Sequence, residues 1–366
     1  MNYLFLHAAR EWSGTAHAFT DAALGLARRG HEVTIAVEPD STVEQAISAT
    51  SGSAAGGRPL VAVEPFSLEG TWFGAARRLR ALARRTRAGV VLVHTDREHL
   101  IAAVAAWLGS RARIIRRVPA GKRLELQRSG RVAAWLTRAC YVFATEQDMR
   151  DSPVPRAGST RVVVPLGIDV PPQDAFPPAP APDEHAAIIC VHDASSRSRA
   201  ATAVRTVAML APRHPLLRLQ VMGESGYDDD LRMQAAALGA LNLVTFLGDR
   251  ADALQVMRRA RLGWVVADGD TAAYGVLGFM SLGIPVIAGE RSAGAEYVLP
   301  EITGIVVPPD DAYLTAAAAA ELLTNESRRE TMGNAARARV AREYPMSAMI
   351  DGFERAAAAA TAPRRR

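Results

Sequence analysis

The sequence has few cysteines and no long apolar run, and both absences narrow the class of protein. Cys140 and Cys190 are the only cysteines among the 366 residues. They stand singly in apolar stretches, so we expect buried reduced thiols and neither a disulfide nor a zinc site. No apolar run approaches the roughly 20 residues that span a bilayer, and the first residues lack the features of a secretory leader. These absences predict a cytosolic protein.

Aromatic residues are also scarce, at 6% of the chain, whereas basic residues are concentrated in one half. Residues 1–170 carry 23 Lys and Arg against 15 Asp and Glu, and the remaining residues carry 20 against 23. The basic clusters are Arg77–Arg87 and Arg111–Arg123. Aromatic residues do not interleave with them as base stacking requires, so we exclude nucleic acid as a partner. Three interpretations stay open: peripheral contact with the inner face of a membrane, an anionic substrate, and a solvated arginine-rich surface.

Short apolar runs alternate with helical patterns along the whole chain, which is typical of α/β proteins with parallel sheets. A proline-rich stretch without apolar period interrupts the alternation and indicates a domain boundary. We therefore predict two doubly wound, Rossmann-like domains that face a cleft. The predicted parts are a first domain at 1–170, a linker at 171–185, a second domain at 186–345, and a C-terminal helix and tail at 346–366 that packs on the first domain.

The segment Thr271–Asp311 holds two closely spaced glycines, a helix and a buried strand. We interpret Gly275 as part of a loop whose backbone approaches a phosphate, at the positive end of the following helix. Gly283 ends that helix, and Val286–Ala288 forms the next strand. An ordinary helix–turn–strand unit of any α/β protein gives the same pattern, so this segment alone does not decide the function.

In their order along the chain, several motifs resemble retaining glycosyltransferases of the GT-B fold, similar to family 4. The opening REWSGTAHAFTDAALGLARRGHEVTIA, the strand VVLVHTDREH, the segment IIRRVP and the interdomain VVVPLGID resemble the first half of that family. In the second half, the resemblance is carried by VMGESG, FLGDRADALQVMRRARLGWVV and MSLGIPVIAGERSAGAEYV. It covers nearly the whole chain, although Leu166 replaces the family's asparagine in the interdomain motif.

The resemblance implies a site that binds a nucleotide-diphosphate sugar and places it against an acceptor hydroxyl. The implied acceptor is unidentified, with a lipid-linked molecule or a cell-envelope polysaccharide as candidates. The implied catalytic residues are Asp270 and His94, and Arg117 faces the acceptor. The implied donor-binding residues are Ser13, Gly14, Arg197, Arg199, Gly223, Glu224, Ala273, Tyr274, Gly275 and Glu296.

Several positions depart from the family pattern. The family's two donor-site glutamates align with Asp270 and Gly278, and its phosphate-binding Arg and Lys align with Asp193 and Ser198. Loss of the carboxylate that grips the ribose predicts a donor affinity weaker by about 1.5–3 kcal/mol, which Gly278→Glu would restore. The run Asp228–Asp230 is typical of a helix start, so we expect no metal in the site.

Two functions are therefore compatible with the sequence. The first is an active, metal-independent hexosyltransferase that acts with retention and needs no cofactor beyond its nucleotide-sugar substrate. The second is a degenerate relative that keeps the fold and binds a ligand or partner without turnover. A nicotinamide-dependent dehydrogenase is disfavoured because no strand is followed by G-x-G-x-x-G.

Overall fold

The computed structural model describes residues 1–50, 59–155, 158–172, 187–223, 228–250 and 252–362. These residues fold into two compact units. Unit 1 comprises Met1–Leu166 together with Met346–Arg366, and unit 2 comprises Gly167–Pro345. Each unit is an α/β structure, as the alternating sequence pattern predicted.

The described part of unit 1 contains a seven-stranded parallel sheet. Its strands are β1 (Asn2–His7), β2 (Glu32–Val37), β3 (Ala62–Pro65), β4 (Val90–Val93), β5 (Arg113–Arg117), β6 (Cys140–Phe143) and β7 (Thr160–Val163). Their order in space is β3-β2-β1-β4-β5-β6-β7. The chain therefore builds outward from β1 and then from β4, which makes the carboxyl ends of these two strands the topological switch point where ligands bind in such sheets.

Helices connect the strands of unit 1. They are α1 (Gly14–Arg28), α2 (Thr42–Thr50), α3 (Trp72–Arg85), α4 (Asp96–Trp107), α5 (Arg128–Leu136) and α6 (Glu146–Asp151). The strands β4 and β6 are buried along their whole length. Burial of both faces explains why these strands are continuous apolar runs in the sequence.

The described part of unit 2 contains a six-stranded parallel sheet. Its strands are β8 (Ala187–His192), β9 (Arg218–Gly223), β10 (Val244–Gly248), β11 (Ala260–Val265), β12 (Val286–Gly289) and β13 (Gly304–Val307). Their order in space is β10-β9-β8-β11-β12-β13. The switch point of this sheet lies at the carboxyl ends of β8 and β11.

Six α-helices are described in unit 2. They are α7 (Arg197–Leu210), α8 (Asp228–Ala237), α9 (Ala253–Met257), α10 (Gly269–Ser281), α11 (Ala312–Thr324) and α12 (Glu326–Glu343). Helix α10 ends where the sequence predicted, because Gly283 has a backbone φ of 72°, a left-handed conformation that favours glycine.

The last helix, α13 (Met346–Thr361), belongs to unit 1 although it follows unit 2 in the chain. It packs against α1 and against β5, β6 and β7. Two glycines permit this close packing: a Cβ on Gly25 would lie 2.3 Å from Ile350, and one on Gly352 would lie 2.5 Å from Val164. Its side chains also pair with the end of α1, since Arg29 donates to Asp351 at 2.6 Å.

Neither cysteine is bridged, and both are buried. Burial raises the pKa of the Cys140 and Cys190 thiols to about 12, so both stay protonated at neutral pH. Among the described residues, no helix combines the length and apolar character needed to cross a bilayer.

Candidate functional site

Unit 2 has a cavity where β11, β12 and β13 end. Its volume is about 170 Å³, and strand residues Val265 and Val307 form part of its wall. The loop after β12 contributes Arg291 and Ser292. Pockets for drug-sized ligands usually occupy about 300–1,000 Å³, so this cavity accommodates one group of a larger ligand.

Two arginines supply the cations of this cavity. Arg199, in the first turn of α7, lines it, and the buried Nε atom has no hydrogen-bond partner among the described residues. Arg291 also lines the cavity and has a left-handed backbone conformation, with φ of 61°. Two carboxylates, Asp268 and Glu290, also line the cavity. A planar guanidinium suits the oxygens of a phosphate.

Asp193 connects the loops that follow β8 and β11. Its Oδ1 accepts hydrogen bonds from the backbone N of Ser195 at 2.9 Å and the hydroxyl at 2.7 Å. Its Oδ2 accepts from the backbone N of Asp268 at 2.6 Å. The glycosyltransferase family that the sequence resembles has a cation at this position. Here the carboxylate joins the ends of two neighbouring strands through hydrogen bonds.

Helix α10 begins earlier than the sequence predicted. Asp268 caps it by accepting from the backbone N of Gly269 at 2.9 Å. Ala273, Tyr274 and Gly275 were predicted as a phosphate-binding loop, but they lie inside the helix and are buried. Their N–H groups face carbonyls of the preceding turn. The loop prediction was wrong, and the positive end of the helix dipole lies at Gly269.

The glycines of α10 face apolar neighbours. A Cβ on Gly275 would lie 3.2 Å from Val265 and 3.3 Å from Val191, so this glycine lets the helix pack closely on the sheet. A Cβ on Gly278 would lie 2.9 Å from the sulfur of Met257, in α9. Side chains of α9 therefore occupy the space that a carboxylate at position 278 would enter, so we no longer expect Gly278→Glu to restore donor affinity.

Arg197 and Arg199 were predicted to bind the diphosphate together, and the structure separates them. Arg197 forms an ion pair with Asp230 in the first turn of α8. Residues two apart on a helix point in different directions, so Arg199 alone lines the cavity. Ser198 is exposed.

The two remaining acidic residues predicted for this site differ in exposure. Asp270, in the first turn of α10, is only 3% exposed. Glu296 is exposed and belongs to a short 3-10 helix, Ala295–Tyr297. Neither lines the cavity beside Arg199. Their roles toward a donor stay predictions.

Gly223 ends β9 at the same edge of the sheet. Its φ is 140°, and a Cβ there would lie 2.1 Å from the carbonyl oxygen of His192 in the neighbouring strand. The backbone therefore requires glycine whether or not a ligand binds. Glu224, predicted to border the base, lies outside the described residues.

In unit 1, a cluster of titratable side chains occupies the carboxyl ends of β1 and β4. His94, directly after β4, has its Nδ1 atom 2.9 Å from Oε2 of Glu98. Its ring stacks on His7 with the ring centres 4.6 Å apart, and Phe19 approaches edge-on at 5.3 Å. The His94 side chain is 11% exposed. The approach of Glu98 places a carboxylate beside the Nδ1 edge of the ring.

Glu98 also holds the surrounding loops in place. Its carboxylate accepts from the backbone N of Ala8 at 3.0 Å, of His94 at 2.9 Å and of Thr95 at 3.1 Å. Burial alone would raise its pKa, but the interactions with His94, and to a smaller extent with His7, outweigh burial and lower the pKa to about 2. Glu98 is therefore a buried, ionised group that joins the ends of β1 and β4.

Ser13 and Gly14 begin the first helix of unit 1. Ser13 is the N-cap of α1, and its hydroxyl accepts from the backbone N of Ala16 at 3.3 Å. Both residues thus lie at the positive end of a 15-residue helix that follows β1. Contact with a diphosphate at this point stays a prediction.

Arg117 was predicted to face the acceptor, and its side chain is buried in the structure. Its side chain is 2% exposed and is among the largest fully buried side chains. The neighbouring Arg116 is also buried and pairs with Asp96. A role of Arg117 toward an acceptor stays a prediction.

Sequence reasoning missed Arg291, His7 and Glu98. The spacing Thr95-x-x-Glu98 is a capping-box pattern, which could have placed Glu98 at the start of α4. Arg291 follows a buried strand, at the edge where parallel sheets bind ligands. His7 ends β1 and carried no further signal.

Acid is expected to destabilise unit 1 through its buried histidines. Burial, together with the charge of His94 for His7 and of Arg116 for His99, lowers the pKa of both imidazoles to about 3. In the unfolded chain these groups titrate near 6.5. The unfolded state therefore binds more protons between pH 6.5 and 3, and stability present above pH 6.5 is lost as the pH falls.

Each histidine should contribute about 2 kcal/mol of this loss between pH 7 and 5. Urea unfolding at the two pH values measures it. His99→Leu, which removes a ring whose nitrogens lack hydrogen-bond partners among the described residues, should weaken the pH dependence by about 2 kcal/mol. An identical pH dependence in this variant and the original protein would contradict the assignment.

Family comparisons cover both units. Residues 12–170 match the model of Glycosyltransferase Family 4, and residues 173–339 match that of Glycosyl transferases group 1. No curated protein sequence matches the chain significantly.

Solved structures with the same fold align along nearly the whole chain. HepE from Anabaena, in complex with UDP and glucose, aligns with a TM-score of 0.77 and 16% identity over 97% of this chain and 98% of HepE. A glycosyltransferase from Rickettsia africae aligns with a TM-score of 0.78 and 13% identity over 98% of both chains. Sucrose-phosphate synthase from Thermosynechococcus elongatus aligns with a TM-score of 0.72 and 14% identity over 97% of both chains.

At this identity the likeness concerns the fold, while the family models match each half in turn. The chain belongs to the GT-B-fold glycosyltransferases, with a family 4 domain followed by a group 1 domain.

Proposed function

We propose that the protein transfers a hexose from a nucleotide-diphosphate sugar to an acceptor hydroxyl, with retention at the anomeric carbon. The observation that carries this proposal is the cavity of unit 2 at the carboxyl ends of its strands, lined by Arg199 and Arg291. HepE, which shares the fold, was crystallised in complex with UDP and glucose, and this supports a donor of the same class. The cavity accommodates the diphosphate, and the nucleoside and the sugar extend beyond it.

Transfer breaks the bond between the anomeric carbon and the outer phosphate oxygen, and forms a bond from that carbon to the acceptor oxygen. The acceptor proton goes to the leaving phosphate, so no protein nucleophile is required. Negative charge develops on the phosphate as the bond breaks. The guanidinium groups of Arg199 and Arg291 stabilise this charge, and the dipole of α10 adds to it at Gly269.

We assign the acceptor side of the reaction to His94 in unit 1. Its Nδ1 faces the ionised Glu98, and this contact leaves Nε2 for a substrate oxygen. Asp270, in the same proposal, accepts from hydroxyls of the sugar once the donor is bound. The acceptor is a lipid-linked molecule or a polysaccharide, which agrees with a cytosolic protein that associates peripherally with the inner face of the membrane.

Arg199→Ala is expected to weaken donor binding about 10- to 150-fold, the effect of losing charge-assisted hydrogen bonds to a phosphate. Calorimetric titration with the best donor of a panel of nucleotide sugars measures this change. Arg197→Ala is the matched control, because the Arg197 side chain pairs with Asp230 outside the cavity. The donor affinity of this variant should stay within about twofold of that of the original protein. A larger loss in Arg197→Ala than in Arg199→Ala would contradict the assignment.

Metal independence and retention are tested with the same donor. Asp229 and Asp230, the residues nearest to a metal-binding pattern in the sequence, pair with Arg232 and Arg197. We expect turnover to persist in EDTA, and the product's anomeric configuration, read by NMR, to equal that of the donor. Turnover that requires added Mn²⁺, or a product of inverted configuration, would contradict the corresponding part of the proposal.

A further inference from the structure

Unit 1 exposes two tryptophans at the ends of neighbouring helices. Trp107, the last residue of α4, is 70% exposed, and Trp135, near the end of α5, is 73% exposed. Val132, one turn before Trp135, is 48% exposed. Large apolar side chains that are this exposed and this close along packed helices mark an interaction surface.

A groove lies between these two helix ends. Its volume is about 670 Å³, and Ala106 and Leu136, the chain neighbours of the two tryptophans, both line it. Arg111, Arg113 and Arg138 also line it. In the described part of the chain, no carboxylate pairs with these three arginines. The groove therefore presents guanidinium groups between two exposed indoles.

The sequence around the groove has almost no negative charge. Between His99 and Thr145 the chain carries nine Lys and Arg and a single carboxylate, Glu125. Arg128 and Arg131 add exposed cations on α5. Such a field attracts an anionic surface over a distance set by the ionic strength.

We propose that this surface, made of Trp107, Val132, Trp135 and the arginines of the groove, docks on an anionic lipid bilayer and takes a phosphate headgroup into the groove. Indoles favour the interface between headgroups and acyl chains, where the ring is partly apolar and its N–H finds a partner. Basic residues beside them bind anionic lipid through the surface potential. The combination of exposed indoles and arginines fits a membrane surface better than it fits an acidic protein, because the guanidinium groups line an open groove.

This surface is distinct from the basic helix that the sequence first suggested for membrane contact. On α3, Arg78 donates to the carbonyls of Ser67 and Glu69, and Arg85 pairs with Glu64. Those arginines are therefore partly neutralised or engaged within unit 1. The arginines of the α4–α5 groove have no such partners among the described residues, which makes this groove the stronger membrane surface.

The groove lies at the amino end of β5, since Arg113 is the first residue of that strand. His94 and the proposed acceptor side lie at the opposite, carboxyl edge of the same sheet. Lipid binding is therefore separable from sugar transfer, and variants of the groove should leave donor affinity unchanged.

The test is binding to vesicles of phosphatidylcholine alone and of phosphatidylcholine mixed with phosphatidylglycerol. We expect sedimentation only with the anionic vesicles, weakened by salt and accompanied by a blue shift of tryptophan fluorescence. Arg111→Gln/Arg113→Gln/Arg138→Gln should lower the partition coefficient about a hundredfold, since each basic residue contributes about fivefold. Trp107→Ala/Trp135→Ala should lower it at least about tenfold and abolish the blue shift.

Two matched variants on α3 serve as controls. Trp72→Ala removes another exposed tryptophan, and Arg84→Gln/Arg85→Gln removes exposed cations. The loss of binding to anionic vesicles should stay below about threefold in both variants, because neither removes a residue of the proposed surface, and both should keep the blue shift. Circular dichroism checks that each variant is folded.

Three results would overturn the proposal. The first is no binding of the original protein to anionic vesicles, with binding to polyglutamate instead, which would favour an acidic protein partner. The second is unchanged vesicle binding in both groove variants. The third is a loss in the α3 variants as large as in the groove variants.

Discussion

Glu98→Ala is expected to lower the free energy of unfolding of unit 1 by about 3–5 kcal/mol. The carboxylate is buried and ionised, and it accepts hydrogen bonds from the backbone of Ala8, His94 and Thr95. Its removal leaves buried N–H groups without an acceptor and takes away the partner of the His94 ring, which are the costs known for broken buried pairs. Urea unfolding followed by circular dichroism measures the change.

Two variants make this result specific. Glu98→Gln keeps an acceptor oxygen but loses the charge, so its loss should be smaller than that of Glu98→Ala. Glu125→Ala removes an exposed carboxylate and should change stability by no more than about 0.5 kcal/mol. A loss below about 1 kcal/mol in Glu98→Ala would mean that Glu98 does not hold the ends of β1 and β4 together.

Gly278→Glu is expected to destabilise unit 2 by at least about 3 kcal/mol and to leave donor affinity no tighter. The new side chain would enter the space occupied by Met257 and Leu254 of α9. A Cβ alone would lie 2.9 Å from the Met257 sulfur. Overpacking costs about 1–3 kcal/mol, and burial of an unpaired carboxylate adds to it. Thermal unfolding and donor titration measure the two quantities.

Gly278→Ala is the control for this substitution. Alanine gains about 1 kcal/mol in helix propensity, and the flexible Met257 side chain can move by the few tenths of an ångström that one methyl requires. Its stability should therefore stay close to that of the original protein. A stable Gly278→Glu variant with tighter donor binding would instead restore the interpretation of this position as a missing ribose ligand.

The alternation of strands and helices could be predicted from the sequence because strands buried on both faces are continuous apolar runs. The strand predicted at Val286–Ala288 is observed as β12, Val286–Gly289, and is buried along its whole length. Strand β3, with the sequence AVEP, was not predicted, because it lies at the edge of the sheet, is only partly buried and ends in proline.

The candidate site was harder to predict because spacing does not show where a helix begins. Gly275 was interpreted as a loop glycine, whereas it lies inside α10. A Cβ at this position would contact Val191 and Val265 of the neighbouring strands. Asp268, which begins the helix, is an N-cap residue whose signal was weaker than the pair of glycines that follows it. Arg197 and Arg199 are closely spaced cations in the sequence, and only the partners of each side chain distinguish them.

In the proposed donor site, two arginines stand outside the aligned positions, so departures from the family pattern need not abolish binding. Asp193 and Ser198 replace the family's cations in the aligned positions, but Arg199 and Arg291 lie at the same edge of the sheet. This arrangement favours the active enzyme over the degenerate relative that the sequence also allowed.

The central claim is that Arg199 and the cavity beside it bind the diphosphate of a nucleotide sugar. Calorimetric titration of the protein with a panel of uridine and guanosine diphosphate sugars, repeated with Arg199→Ala and Arg197→Ala, tests it most directly. We predict saturable binding of at least one donor, weakened about 10- to 150-fold in Arg199→Ala and nearly unchanged in Arg197→Ala. Absence of binding with every donor, or equal affinity in the original protein and Arg199→Ala, would contradict the claim.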